Sequence, residues 1–345
     1  MCATILRYIT NRFLPPPGGG ITVRCCMRTA ALLAAAALLM PHTSWAGSCC
    51  GGGSPTSLIV PKFARAIADV SFDAEVYDGF WNQDGKHTAD PPRSDLKQYR
   101  LNLGYAHRLA QNWQAGISLP YVWNENRYSG MSSSTSGLGD TTLSLWYEAL
   151  DDESSWKVRD LSDLAPAVTL GISLLVPTGI SPYDDVNSSF DVTGRGFYRL
   201  DGNLLIDKTI QPWNASLAFT YGTHFERSIN REYGAYTEPY HKDLGDRLSA
   251  SASVGYRYVF GTGGDTLTTT VSYAYLQEDW GSINGVTDTT TGMEKQSATL
   301  SFNYANLDRD WSLRLAWNHA ISEDGWGKNF PTTDIITTGV RYVFR

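Results

Sequence analysis

Three sets of side chains in this 345-residue chain have the types and spacing to do chemistry. The first is Cys49 and Cys50, adjacent thiols that can close a strained vicinal disulfide in an oxidising compartment or offer thiolates to a soft metal such as Cu(I). No His or Met follows them in the tail, so as a metal site the pair is incomplete, and no Cys-x-x-Cys-His sequence exists to attach haem. The second set is the histidines outside the predicted signal peptide, His87, His107, His224, His241 and His319. A hydrolytic barrel needs Ser and His together on its outer wall; His319 faces outward on the eleventh predicted strand, but no outward Ser stands at matching height beside it. No enzyme activity and no cofactor is expected. Asp184, Asp185 and Asp191 lack the spacing of a calcium loop and read as solvated loop acids.

The third set is ionisable and sits at alternate positions of predicted strands. Arg100, Arg199, Arg247, Arg257, Arg314 and Arg341 stand against Asp69, Asp73, Glu75, Glu148, Asp201 and Asp207. An ion-selective pore carries one sign in excess at its constriction. Six opposing six predicts instead cross-strand ion pairs that line and narrow a lumen.

Those residues need elements that hold them on one face, and the chain supplies strands. Past Phe63 it repeats segments of about ten residues in which apolar and polar side chains alternate, as in Val70, Phe72, Ala74 and Val76 against Asp69, Ser71, Asp73 and Glu75. Twelve such segments are counted, ending with Ile336, Thr338, Val340, Tyr342 and Phe344. Links after the even strands two, six, eight and ten are short, whereas those after odd strands are long and polar, for example 125–139, 226–245 and 278–295. One link, 151–163, is long on the short side. The pattern predicts an all-β fold, a transmembrane antiparallel up-and-down barrel of twelve strands with both termini in the periplasm. Twelve lies between the filled eight-stranded barrel and the open sixteen-stranded porin, so a narrow passage is expected. Trp113, Trp213 and Trp311 each open a strand after a short turn, at one depth, as residues of an aromatic girdle at the membrane interface.

Composition agrees. Charged residues are 18%, aromatic residues 12%, and no apolar run reaches the roughly 18 residues a membrane helix needs. From Met27 the chain reads as a secretory signal peptide, 27–46, preceded by an extension, 1–26, that carries no fold information. Cleavage after Ala46 removes Arg7, Arg12, Arg24 and Arg28, leaving 24 basic and 35 acidic residues, net −11. Nucleic-acid binding, which needs a basic footprint, is excluded. A periplasmic Cys-Cys-Gly-rich tail, 47–64, then leads into the barrel, 65–345.

At Gly137, Gly139 and Asp140, a Gly-x-Gly-Asp that opens a strand, and at Pro177, Thr178 and Gly179, a Pro-Thr-Gly that ends a later one, the sequence resembles the outer-membrane transporter family associated with the meta-pathway of phenol degradation. The resemblance covers roughly 90–344 and implies a barrel admitting small, often aromatic or apolar, solutes; it carries over no catalytic residue. The Cys-Cys-Gly-Gly-Gly tail and Arg345 after Phe344 depart from the family pattern. The expected function is an outer-membrane channel or facilitator, with lipid, a small solute and the barrel-assembly machinery as partners. The competing expectation is a barrel that presents Cys49 and Cys50 to a periplasmic copper- or thiol-handling partner.

Overall fold

The computed structural model describes residues 58–152, 156–260 and 263–345. Twelve long strands form its wall: β1 Ala66–Trp81, β2 Asp95–Arg108, β3 Trp113–Tyr128, β4 Thr141–Leu150, β5 Ala167–Val176 and β6 Arg199–Ile210. They continue as β7 Trp213–His224, β8 Arg247–Val259, β9 Thr266–Glu278, β10 Met293–Ala305, β11 Trp311–Ala320 and β12 Phe330–Phe344. Each pairs antiparallel with its sequence neighbours, and β12 pairs with β1 through Ala66↔Phe344 to Trp81↔Phe330. The result is a closed barrel without a free edge, in which backbone donors and acceptors of the wall are satisfied between strands.

Alternation decides which way each side chain points. On β1, Val70, Phe72 and Val76 are 41–46% exposed on the outside, while Asp69, Ser71, Asp73 and Glu75 are 5% exposed or less on the inside. That inversion of the ordinary soluble pattern suits a wall with hydrocarbon outside and polar groups within. At the end carrying the short turns, Trp113 packs tilted against Tyr147, Trp213 edge-to-face against Tyr256 and Trp311 tilted against Tyr342, with ring centroids 4.5–5.0 Å apart. All three pairs are cross-strand partners in register, and such contacts add about 0.5–1.5 kcal/mol each beyond burial. The long link on this side, 151–166, is tied down by Lys62 to Asp151 and by Lys208 to Asp152.

The opposite end is elaborate. The strand Met131–Leu138 pairs with β3 alone, and the wall breaks at Gly139 and Asp140 before β4 begins. Four short strands, Arg227–Glu232, Ala235–Asp243, Gly281–Ile283 and Val286–Asp288, form a separate small sheet in the loops. The 177–198 connection between β5 and β6 instead turns into the barrel. Val192 and Phe197 are almost wholly buried there.

Candidate functional site

The lumen is the candidate site, and its two halves differ. From β12 through β1 and β2 to β3 the inward side chains are locked together. Asp69 accepts Arg341 Nε at 2.8 Å and Arg314 at 3.4 Å; Asp73 accepts Thr337 Oγ1 at 2.7 Å and Asn102 Nδ2 at 2.9 Å; Glu75 pairs with Arg100. Glu148, inward on β4, takes both terminal nitrogens of Arg108 at 2.8 and 2.9 Å, a bidentate pairing. Arg199 and Asp201 pair at 2.6 Å on β6. Asp207 also points inward, as does Arg247, opposite Glu278 in the ladder; Arg257 points inward without an ion pair among the described residues. The partners of these inward residues come from the pairing of strands and from loops. Arg108 ends its strand, and Arg195 lies in a loop where alternation has no meaning.

Two segments fold into this lumen. At the short-turn end, residues 58–64 enter it, so part of what reads in the sequence as a glycine-rich tail is packed structure. Leu58 rests on Gly104, where a Cβ would come within 2.7 Å of its methyl, and joins Val60, Ala64, Ile67 and Ala106 in a buried apolar cluster. Arg108 donates to the carbonyls of Val60 and Pro61, and Gln114 accepts the Val60 N–H. Trp146 lies inward over Gly171 nearby, where any Cβ would collide with the indole.

At the other end, the 177–198 loop spans the barrel. Asn124 and Asn126 of β3 donate to the carbonyls of Val192 and Phe190, each at 2.8 Å, while Arg195 reaches Glu278 of β9 at 2.5 and 2.6 Å. Strands β3 and β9 lie six apart in a ring of twelve and so face one another across the lumen. The two family-like motifs meet at the root of this loop. Asp140 accepts the N–H of Gly179 at 3.2 Å and of Arg195 at 2.8 Å, and Thr178 donates to the Gly139 carbonyl at 2.6 Å while accepting the Thr141 N–H. A Cβ on Gly194 would strike the Asp140 carboxylate, so the close approach demands glycine there. Burial raises the Asp140 pKa above the usual carboxylate range, against the lowering effect of those two backbone donors and of Arg195. Farther out, burial raises the Tyr183 phenol; its ring stacks edge-on against Phe197, with the Arg227 guanidinium 5.3 Å from its centroid.

On the remaining wall, β6 to β10, small polar side chains line the inner face half-buried, among them Ser249, Ser251, Thr270, Ser272 and Ser301, while Thr220 donates to Asn203 at 2.9 Å and Ser216 and Ser253 share a hydrogen bond at 2.7 Å.

Outside the wall, His319 bonds Asp334 at 2.9 Å, and its other ladder partner is Ala298. Among the described residues no cluster of three metal-ligating side chains occurs; Cys49 and Cys50 lie outside the described residues.

No protein-family model matches the chain, and no curated protein does. Among solved structures it is similar to the COG4313 outer membrane channel from Pseudomonas putida F1, with a TM-score of 0.63 and 13% identity over 85% of this chain and 100% of that one. The beta domain of the Bordetella autotransporter BrkA aligns at a TM-score of 0.48, with 13% identity over 81% of this chain and 100% of that one. The former likeness establishes the fold, a twelve-stranded barrel of outer-membrane type. Nothing in these comparisons supports a metal or thiol role for the tail.

Proposed function

We propose that this protein is a passive outer-membrane channel for small polar solutes, with its short-turn end and both termini on the periplasmic side. The observation that carries the reading is the division of the lumen. From β12 to β3 the inner face is held by buried ion pairs and inserted backbone, whereas along β8 to β10 it carries small half-buried hydroxyl side chains. A wall of that kind hydrogen-bonds a passing solute weakly and at many points, which favours entry without trapping. The motifs around Asp140 and Thr178 resemble those of the phenol meta-pathway family, and an aromatic ring carrying a polar group fits both that resemblance and this wall. The apolar exterior supplies the contact with lipid, and the barrel-assembly machinery is the proposed route of insertion.

The test is reconstitution of the purified chain in planar bilayers and in liposomes. Small discrete conductance steps, with swelling in small polar solutes that falls off steeply with solute size, are the expected result. A protein that inserts and remains electrically silent, with no swelling in any solute, overturns the channel reading.

A further inference from the structure

The link between β4 and β5, 151–166, is long where the other connections at the short-turn end are tight, and the passage of a solute does not call for it. We propose that it is an interfacial anchor, a segment that seats in the headgroup layer of the leaflet at that end and takes glycerophospholipid as its ligand. Such an anchor holds the barrel in the bilayer whether or not a solute passes through it.

The attachment of the link fixes its depth. Asp152 binds Lys208 of β6 and accepts the Thr209 N–H at 2.8 Å, while Lys208 Nζ also donates to the Ala165 carbonyl at 2.9 Å. Both ends of the link are therefore fastened to one ammonium. Lys208 belongs to the outward face of β6, since it stands opposite Ala215, between the pairs Ile206↔Leu217 and Ile210↔Trp213, and Leu217 and Trp213 are exposed on the lipid side. Two residues of strand, about 7 Å, separate it from the Ile210 and Trp213 pair. The link is thus pinned to the outside of the wall, close to the depth of Trp113, Trp213 and Trp311.

What it exposes there is apolar. Trp156, Val158, Leu161 and Leu164 are 75, 49, 85 and 45% exposed, and Leu150, opposite the outward Val168, carries the lipid-facing wall into them. Indole and leucine side chains in such a place leave water for the headgroup and upper acyl region. The backbone is prepared for that transfer. Asp163 accepts the N–H groups of Arg159 at 2.7 Å and Asp160 at 3.4 Å, and Asp160 accepts those of Ser162 at 2.9 Å and Asp163 at 3.4 Å, so these donors need no water.

Charge is not the attraction, because five acids, Asp151, Asp152, Glu153, Asp160 and Asp163, stand against Lys157 and Arg159. Asp151 and Asp152 pair with Lys62 and Lys208, Asp160 and Asp163 cap the backbone, and Glu153 lies outside the described residues. Lys157 and Arg159, set between the apolar positions, have stems long enough to reach lipid phosphates. The matching ligand is a zwitterionic phospholipid surface, entered by apolar side chains.

The experiment folds the full chain and its Trp156→Phe variant into phosphatidylcholine nanodiscs and takes the difference of their tryptophan fluorescence as the Trp156 signal. That signal should be blue-shifted from free tryptophan, quenched by lipid brominated near the top of its acyl chains, and several-fold less open to iodide than free tryptophan. Added phosphatidylglycerol should leave the quenching unchanged. The same difference taken in a Leu161→Asp background should show weaker bromine quenching and clearly greater iodide access; Leu161 is too exposed to support the barrel, and heat-modifiable mobility on gels confirms that each variant has folded. A parent signal as open to iodide as free tryptophan, with no bromine quenching, puts the link in water and overturns the anchor. Quenching that Leu161→Asp leaves unmoved overturns it as well, and quenching that appears only with phosphatidylglycerol overturns the choice of ligand. None of these readouts uses conductance, so failure of the channel reading is a separate result.

Discussion

Asp140 shows how much one side chain can organise. It stands where the wall breaks, and its two oxygens hold the N–H groups of Gly179 and Arg195, one at each end of the loop that crosses the lumen. Asp140→Ala leaves both donors unpaired in a buried place, at about 1–3 kcal/mol each. The expected outcome is a lower urea midpoint in detergent and new protease cleavage within 177–198. Its pH dependence has a definite sign. Burial raises the folded-state pKa, so the fold binds that proton more tightly than the unfolded chain does. Stability linked to this residue is therefore gained as the pH falls through the folded value toward the unfolded one, and lost again on the way up. The stability gap between the parent and Asp140→Ala should widen from pH 7 to pH 4. A gap that narrows would show that the ionised form is the one the fold prefers.

At the scale of an element, each strand carries two solvents on two faces. Val254 of β8 is 53% exposed on the outside, and Ser251 faces the lumen. Val254→Arg would place a guanidinium in hydrocarbon near mid-wall at about 2–4 kcal/mol, while Ser251→Arg meets water. Refolding yield into lipid vesicles should fall sharply for the first and little for the second. Equal losses would mean that the faces have been assigned the wrong way round. The Trp–Tyr pairs bind neighbouring strands at one depth, and Trp213→Ala, which removes the partner of Tyr256, should lower thermal stability by about 1 kcal/mol or more.

On the proposed channel reading, two inserted segments divide between them the task of limiting flow. Arg108→Ala removes the donor that holds Glu148 and the carbonyls of Val60 and Pro61, loosening the 58–64 segment at the short-turn end. Shortening the loop by deleting 182–192 clears the other end without touching Asp140. Each change should raise unitary conductance, and both together should raise it more than either alone, because the constrictions lie in series. If neither change alters conductance, the limiting constriction lies in the wall itself.

The sequence by itself determined the strands, their number and their inward and outward faces. A strand has a period of two, so every residue from Asp69 to Arg341 in the alternating pattern carries its own orientation. The residues of Gly-x-Gly-Asp and Pro-Thr-Gly were legible as motifs, but not as the two halves of one lock. What only the tertiary structure decided is which polar groups meet. Closure brings β12 against β1, so that Arg341 finds Asp69 some 272 residues away, and it sets β3 opposite β9 for the crossing loop to bridge. The loop residues Val192 and Arg195 and the segment around Leu58 have no periodicity to report their burial. Their places depend on contacts that exist only once the cylinder is closed, which is why an inner face of balanced charge in the sequence becomes, in the barrel, a particular set of pairs.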